Sequence, residues 1–177
     1  MDSLRVLITE EQLRERSATL AAELSRDYAD KDLLLVCILK GSMHFFTDLA
    51  RQMTIPVEYG YLGVSSYHGG AQSRGQVEFV VDLQESIEDR HVLLVEDVVD
   101  TGLTVNKVIE RLAGRNAASI KLVACLDKPS RRQVPVDIHY LGFTIEDHFV
   151  VGYGLDYGQR YRNLPHIAVF DDPPPLA

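Results

Sequence analysis

The chain has 177 residues, of which 46% are hydrophobic and 25% are charged, and its formal net charge is −8. Length and composition are typical of one globular domain with a full hydrophobic core, so we predict a single domain over residues 1–177. The negative charge argues against nucleic acid or an anionic membrane surface as a partner, and the absence of a long apolar run argues against a membrane span.

The sequence predicts a cytoplasmic location. Asp2 and Arg5 interrupt the segment in which a signal peptide would have its apolar region. Cys37 and Cys125 each lie inside an apolar run. They are therefore predicted to be buried thiols in a reducing compartment, and not a disulfide or a catalytic pair.

The first third of the chain alternates between helical and strand patterns. Residues 9–12 form a capping-box signature, after which apolar residues at helical spacing predict a helix to about Tyr28. The continuous apolar run Leu33–Leu39 predicts a central parallel strand that is buried on both faces. A helix over residues 43–53 and a strand over residues 57–64 are predicted to follow.

The rest of the chain continues this alternation. Strands and helices that alternate in this way indicate an α/β fold with a mainly parallel central sheet flanked by helices. The terminal segments are expected to form a small hood over the sheet edge. Further strands are predicted over residues 77–83, 91–95, 119–126, 136–143, 149–153 and 167–170, with a helix after residue 104.

A polar turn between a strand and a helix is the most informative stretch. Residues 92–95 are apolar, Glu96 and Asp97 follow, and a helical pattern begins after Thr104. Ligands of open parallel sheets bind at the carboxyl ends of strands, and the free amides of a helix N-terminus suit a phosphate. Gly102 permits a close approach of the backbone to such an anion.

Three carboxylates beside a phosphate site require an explanation, because like charges repel. Glu96 and Asp97 could accept hydrogen bonds from two neighbouring ribose hydroxyls, or a divalent cation could bind there, while Asp100 is free to act as a base. The alternative is an ordinary polar loop in which Asp100 and Thr101 cap the helix. As a whole, residues 92–104 resemble the signature with which type I phosphoribosyltransferases bind phosphoribosyl pyrophosphate.

A second anion site is suggested where the strand Leu33–Leu39 ends. Lys40, Gly41 and Ser42 follow this strand, and a lysine with exposed amides could hold a pyrophosphate. Taken alone, an ordinary strand-to-helix turn is the favoured interpretation. Because the acidic turn is predicted at the same edge of the sheet, the anion site gains support from its neighbour.

Residues 66–75 contain Gly69, Gly70 and Gly75 and almost no apolar side chains, which predicts a mobile loop. Such a loop is either a linker or a lid that excludes water from a reacting sugar. Tyr67 is amphipathic and could cover a bound ligand.

Four further side chains are candidates, each with an ordinary alternative. Lys128 is the basic residue nearest a strand end, so it is the one expected to point into the site, although basic turns are usually solvated. Phe149 could stack on a flat base or belong to the core. Asp156 could bind Mg²⁺ or cap a turn, and Arg162 could bind a phosphate or lie on the surface.

These motifs occur in the order found in hypoxanthine-guanine phosphoribosyltransferases of the bacterial type, which the chain resembles from about Leu33 to Phe170. The resemblance implies the type I phosphoribosyltransferase fold and is weak over the first thirty residues. One departure is Leu103, where some members have Lys. The phosphate cradle should tolerate this change, because its donors are backbone amides.

The resemblance also implies the roles of the site residues. Asp100 corresponds to the general base at purine N7, Glu96 and Asp97 hold the ribose hydroxyls beside Mg²⁺, and Lys128 contacts the purine 6-oxo group. Members often have a non-proline cis peptide before the residue that matches Lys40. The other implied substrate contacts are Thr101, Gly102, Leu103 and Thr104 for the 5′-phosphate, Lys40, Gly41 and Arg162 for pyrophosphate, Ser66 and Tyr67 in the loop, Phe149 and Val150 for the base, and Asp156 for a second Mg²⁺.

The implied reaction is a Mg²⁺-dependent step of purine salvage. It transfers 5-phosphoribosyl from phosphoribosyl pyrophosphate to hypoxanthine or guanine and yields IMP or GMP and pyrophosphate. The resemblance suggests a homodimer or homotetramer. One alternative is another type I enzyme acting on adenine, uracil or orotate, against which Lys128 and the segment 149–156 argue. The other is a regulatory RNA-binding protein of the same fold, against which the net charge argues.

Overall fold

The computed structural model of the chain describes residues 4–66 and 77–170. Tyr67 and the rest of the predicted lid after Ser66 lie outside the described residues. The described strands, in chain order, are β1 Leu4–Ile8, β2 Leu33–Leu39, β3 Glu58–Ser66, β4 Val77–Val81, β5 His91–Val99, β6 Ser119–Asp127, β7 Tyr140–Thr144, β8 Val150–Val151 and β9 Ile167–Phe170. The described helices are α1 Glu10–Asp27, α2 Met43–Gln52, α3 Leu103–Ala113 and a 3₁₀ turn Pro129–Arg131.

Six strands form the main sheet in the order β4-β3-β2-β5-β6-β7. All neighbours in it are parallel except β4, which pairs antiparallel with β3 at one edge. This arrangement confirms the predicted α/β fold with a mainly parallel sheet. The predicted helix caps are also confirmed at α1, where Thr9 and Gln12 form the capping box.

The two faces of the sheet are covered by different helices. Alternate residues of β2 and β5 point to opposite faces, as strand geometry requires. On one face Leu35 and Leu93 pack in the same cluster as Leu20 of α1 and Leu49 of α2. The other face is covered by α3, and its cluster contains Leu34, Val36, Leu94, Val108 and Leu112. The central strands are therefore buried on both sides, as their continuous apolar runs predicted.

A second, three-stranded sheet in the order β1-β9-β8 joins the two ends of the described chain. It is antiparallel, with Leu4 opposite Phe170 and Val150 opposite Val169. Ile8 and Val169 belong to the core cluster on the α1 and α2 side of the main sheet. The terminal segments thus form the expected hood. None of the described helices combines the length and the apolar character that a membrane crossing requires.

Some boundaries differ from the prediction. Strand β5 continues to Val99 because its pairing with β6 extends to Asp127, so Glu96 and Asp97 are strand residues and do not lie in a turn. Gly102 is the N-cap of α3, with φ +88°, and has no side chain to cap the helix, while the amide of Leu103 donates to Oγ1 of Thr101 at 3.3 Å. Strand β7 begins only at Tyr140, since Val136 packs beside α3 and not in the sheet.

Candidate active site

The carboxyl ends of β2, β5 and β6 lie side by side in the main sheet and form one edge. Lys40 follows β2, Asp100 follows β5 and Lys128 follows β6. This is the edge at which ligands of open α/β sheets bind. The parallel topology therefore brings together groups that are far apart in the sequence.

A small cavity of about 50 Å³ lies at the N-terminus of α3. A β-carbon on Gly102 would lie 2.8 Å from the carbonyl oxygen of Val134, so this turn has no room for a side chain. The first amides of a helix have no partners within it and attract anions. The cavity therefore suits one phosphate group. Its lining includes Glu96, Asp100, Thr101, Gly102 and Thr104, and Leu103 is the first residue of the helix.

The turn after β2 contacts the acidic pair directly. Its peptide bond between Leu39 and Lys40 is cis, as the resemblance implied. Gly41 is buried, and a β-carbon on it would overlap Oδ2 of Asp97. The structure thus places the turn after β2 against the acidic pair, which the separate motifs could only suggest.

Glu96 and Asp97 are consecutive residues of β5, of which Glu96 is buried beside the N-terminus of α3 and Asp97 is half-buried beside Gly41. Glu96 is 6% exposed, and its Oε2 has no hydrogen-bond partner within the described residues. Burial, together with the charge of Asp97, raises the pKa of Glu96 well above its usual range. Burial also raises the pKa of Asp97 to about 6, although the Val98 amide, 2.7 Å from Oδ1, and the charge of Arg162 oppose this shift. The pair therefore needs a cation or hydroxyl donors.

The acidic groups fit Mg²⁺ only if a substrate supplies the remaining ligands. Within residues 4–66 and 77–170, no group of three or more His, Cys, Asp or Glu side chains could hold a metal ion unaided. Mg²⁺ commonly takes one or two carboxylates together with substrate phosphates and water. The unsatisfied oxygen of Glu96 and the neighbouring carboxylates of Asp97 and Asp156 match that requirement.

The segment 152–162 lies against the turn that follows β2. Gly154 has φ +101°, and a β-carbon on it would overlap the carbonyl oxygen of Gly41. The guanidinium of Arg162 donates to the carbonyl of Gly154 at 2.6 Å and pairs with Asp156 at 2.6 Å. Asp156 and Arg162 therefore lie beside the turn that follows β2, with Arg162 held by the segment itself.

Lys128, Phe149 and Val150 form a candidate base slot near Asp100, whose charge acts on Lys128. The Lys128 side chain is 8% exposed, and its Nζ donates to the carbonyl of His148 at 2.6 Å. Burial lowers the pKa of Lys128, while the charge of Asp100 opposes this shift. Phe149 is 51% exposed and Val150 is buried. The slot thus offers an aromatic face, a cation and a backbone edge, which together suit a flat heterocycle with an acceptor oxygen.

Sequence reasoning missed several contacts of the site. The Nε of Arg131, in the basic turn after β6, donates to Oδ1 of Asp100 at 3.2 Å. The hydrogen bond from Tyr153 to Asp48 was not foreseen either. The only signal for Arg131 was its place just after a strand end, and nothing in the sequence pairs Tyr153 with α2. The side chain of Ser66, which ends β3, is not described.

Comparison with known proteins agrees with this geometry. Residues 8–158 match the family described as phosphoribosyl transferase domain, so the resemblance begins well before Leu33 and includes α1. The hypoxanthine-guanine phosphoribosyltransferase of Staphylococcus aureus is 45% identical over 166 residues, which cover 94% of this chain and 93% of that protein. The protein of the same name from Streptococcus pneumoniae is 43% identical, over 97% of this chain and 95% of its own length.

Comparison with solved structures leads to the same family. A crystal structure of a hypoxanthine phosphoribosyltransferase from Staphylococcus aureus superposes with a TM-score of 0.89 at 44% identity, covering 94% of this chain and 91% of that one. The chain therefore belongs to the phosphoribosyltransferase family and, within it, to the hypoxanthine-guanine phosphoribosyltransferases.

Proposed function

We propose that the chain transfers 5-phosphoribosyl from phosphoribosyl pyrophosphate to hypoxanthine, and also to guanine, as a step of purine salvage. The contact between Gly41 and the Asp97 carboxylate supports this proposal most, because it joins a phosphate cradle, a pair of ribose-binding carboxylates and a pyrophosphate turn in one site. The relatives whose names include this activity support it independently.

The phosphorylated substrate is expected to span the three strand ends. Thr101, Gly102, Leu103 and Thr104 hold its 5′-phosphate at the N-terminus of α3. Glu96 and Asp97 accept hydrogen bonds from the ribose hydroxyls. Lys40, Gly41 and Arg162 bind the pyrophosphate, and the hydrogen bond from Arg162 to the Gly154 carbonyl, beside Gly41, supports this role for Arg162.

The purine is expected to lie in the slot beside Asp100. Phe149 stacks on the base, the Val150 backbone contacts its edge, and Lys128 donates to the 6-oxo group. As base N9 forms its bond to the ribose C1′, the bond from C1′ to pyrophosphate breaks. Asp100 accepts the proton that leaves N7. Its exposed pairing with Arg131 is weak enough to open when the base binds.

Mg²⁺ is the proposed cofactor, and it would be held by Glu96, Asp97 and Asp156 together with substrate oxygens. When bound, it neutralises charge on the leaving pyrophosphate. Ser66 and Tyr67 are proposed from the sequence alone to cover the bound substrates and exclude water.

The family also leads us to propose a cytoplasmic enzyme that forms a homodimer or homotetramer. Met43, Tyr59 and Tyr61 are each about half exposed, at 50%, 50% and 51%, and line one apolar hollow beside α2. Exposed apolar groups of this kind support self-association. Sedimentation equilibrium across a range of concentrations tests it, and a monomer throughout would contradict it.

The function is tested by comparing enzyme activity with RNA binding. Purified protein with phosphoribosyl pyrophosphate, Mg²⁺ and hypoxanthine should form IMP and release pyrophosphate in equal amounts. RNA should not be retained at physiological salt, since the chain has a net charge of −8. RNA retention without nucleotide formation would favour the regulatory alternative.

A further inference from the structure

The segment 152–162, which positions Asp156 and Arg162, turns sharply at its start. Gly152, Tyr153 and Gly154 all have positive φ, of +95°, +51° and +101°. Glycine adopts such values readily, whereas a non-glycine residue does so uncommonly. The positive φ of Tyr153, between the two glycines, therefore requires a separate explanation.

The side chain of Tyr153 supplies that reason by anchoring the turn to α2. Its hydroxyl donates to Oδ2 of Asp48 at 2.7 Å, and the side chain is 7% exposed. Asp48 belongs to the helix that begins directly after the turn containing Lys40 and Gly41. This hydrogen bond thus connects α2, which follows the Lys40–Gly41 turn, to the segment that positions Asp156 and Arg162.

Two further contacts near this hydrogen bond also join α2 to the segment 152–162. His44, one turn before Asp48 on α2, has its Nε2 3.1 Å from the carbonyl oxygen of Arg162. The ring of His44 also meets the ring of Tyr153 edge to face, with 6.1 Å between centroids. A cavity of about 860 Å³ lies behind the turn and is lined by His44, Asp48 and Tyr153. The other side of the turn is packed, since Tyr153 and Leu155 belong to the core cluster and the amide of Tyr153 donates to the carbonyl of Leu164 at 2.8 Å. The hydrogen bond to Asp48 links this packed turn to α2.

We propose that Asp48 and Tyr153 are positioning residues for pyrophosphate binding. Their hydrogen bond holds the Gly152–Gly154 turn against Gly41, and so sets where Asp156 and Arg162 lie relative to the turn after β2. This inference rests on the proposed function, because it assigns the two residues a role in the same site. Neither side chain is among the proposed substrate contacts.

Tyr153→Phe removes the anchor and retains the aromatic ring. We expect KM for phosphoribosyl pyrophosphate to rise about three- to tenfold, the effect of losing one net hydrogen bond. KM for hypoxanthine should change less than KM for phosphoribosyl pyrophosphate, since Lys128, Phe149 and Val150 lie outside residues 152–162, although the ring of Phe149 meets that of Tyr157 within the segment. Calorimetric titration with pyrophosphate and Mg²⁺ should show a parallel loss of affinity without any turnover.

The chain contains a matched control. Tyr140 is 6% exposed, and its hydroxyl donates to Oδ2 of Asp27 at 3.0 Å, at the far end of α1. Tyr140→Phe should lower Tm by an amount similar to Tyr153→Phe, about 2–4 °C, but should leave both KM values unchanged. Equal KM effects in the two variants would mean that Tyr153 stabilises only the fold.

Asp48 distinguishes the hydrogen bond from the charge. Asp48→Asn retains an acceptor oxygen and should bind phosphoribosyl pyrophosphate nearly as well as the wild type, whereas Asp48→Ala should resemble Tyr153→Phe. The double variant should be no worse than either single one. Suppose the wild type transfers ribose phosphate, but Tyr153→Phe and Asp48→Ala leave both the KM for phosphoribosyl pyrophosphate and the affinity for pyrophosphate unchanged. That result would overturn this inference and leave the proposed function intact. A wild type inactive with every base would overturn the proposed function itself.

Discussion

The α-carbon of Gly41 lies against the carboxylate of Asp97, so closely that a β-carbon on Gly41 would overlap Oδ2. The two residues come from the ends of adjacent parallel strands, β2 and β5. Their contact leaves no space between the proposed pyrophosphate turn and the proposed ribose carboxylates. The site is therefore sensitive to one added methyl group.

Gly41→Ala should reduce kcat/KM for phosphoribosyl pyrophosphate about 100-fold, because the added carbon displaces Asp97 or the turn by roughly 1 Å. The matched control is Gly114→Ala at the C-terminus of α3, where φ is −82° and no atom lies within 4 Å of the added carbon. Steady-state kinetics on both variants test this. A Gly41 variant as active as the Gly114 variant would show that the contact is unimportant.

Asp100→Asn should retain folding and substrate binding but reduce the chemical step about 10²–10⁴-fold, the usual effect of losing a general base. Because product release often limits such enzymes, a pre-steady-state measurement is the appropriate one. Asp147→Asn is the control for lost charge, since Asp147 also pairs with Arg131, at 3.7 Å, and its charge also acts on Lys128. If the chemical step were unchanged in Asp100→Asn, Asp100 would not be the base.

Lys128→Gln should change which base is used. An ammonium only donates, so it favours the 6-oxo bases and opposes the amino group of adenine. Glutamine adds an acceptor, so kcat/KM for hypoxanthine should fall about 10- to 100-fold and the ratio of hypoxanthine to adenine should narrow. Lys107→Gln, on the exposed face of α3, is the control for lost charge. If the ratio of kcat/KM for hypoxanthine to kcat/KM for adenine did not change, the backbone near Val150, and not Lys128, would discriminate between the bases.

Glu96→Gln should stabilise the ligand-free protein more at pH 8 than at pH 5. Burial raises the folded-state pKa of Glu96, so the stability that its protonated form contributes is lost as pH rises through that pKa. Glutamine does not titrate. Urea unfolding at the two pH values, with exposed Glu88→Gln as control, measures the difference. If Glu96→Gln raised the free energy of unfolding equally at both pH values, or more at pH 5, this explanation of the buried carboxylate would be wrong.

The sequence predicted the main strands well because buried parallel strands are continuous apolar runs, as in Leu33–Leu39. It also predicted that Glu96, Asp100 and Lys128 lie at one edge of the sheet, since parallel strands end there, and the structure has Glu96 in one cavity with Asp100, and Lys128 near Asp100. It could not predict the contact of Gly41 with Asp97 or of Tyr153 with Asp48, because both depend on distances set by tertiary packing. For the same reason the strand β5 extended further than its apolar residues alone indicated.

The central claim is that this site joins a 6-oxopurine to phosphoribosyl pyrophosphate. The most direct measurement is kcat/KM of the wild type with Mg²⁺ for hypoxanthine, guanine, xanthine, adenine and uracil in parallel. We expect efficient nucleotide formation with hypoxanthine, activity with guanine, and a value for adenine at least about 10⁴-fold lower, because the Lys128 ammonium has no acceptor for the adenine amino group. Equal or greater efficiency with adenine or uracil would contradict the account.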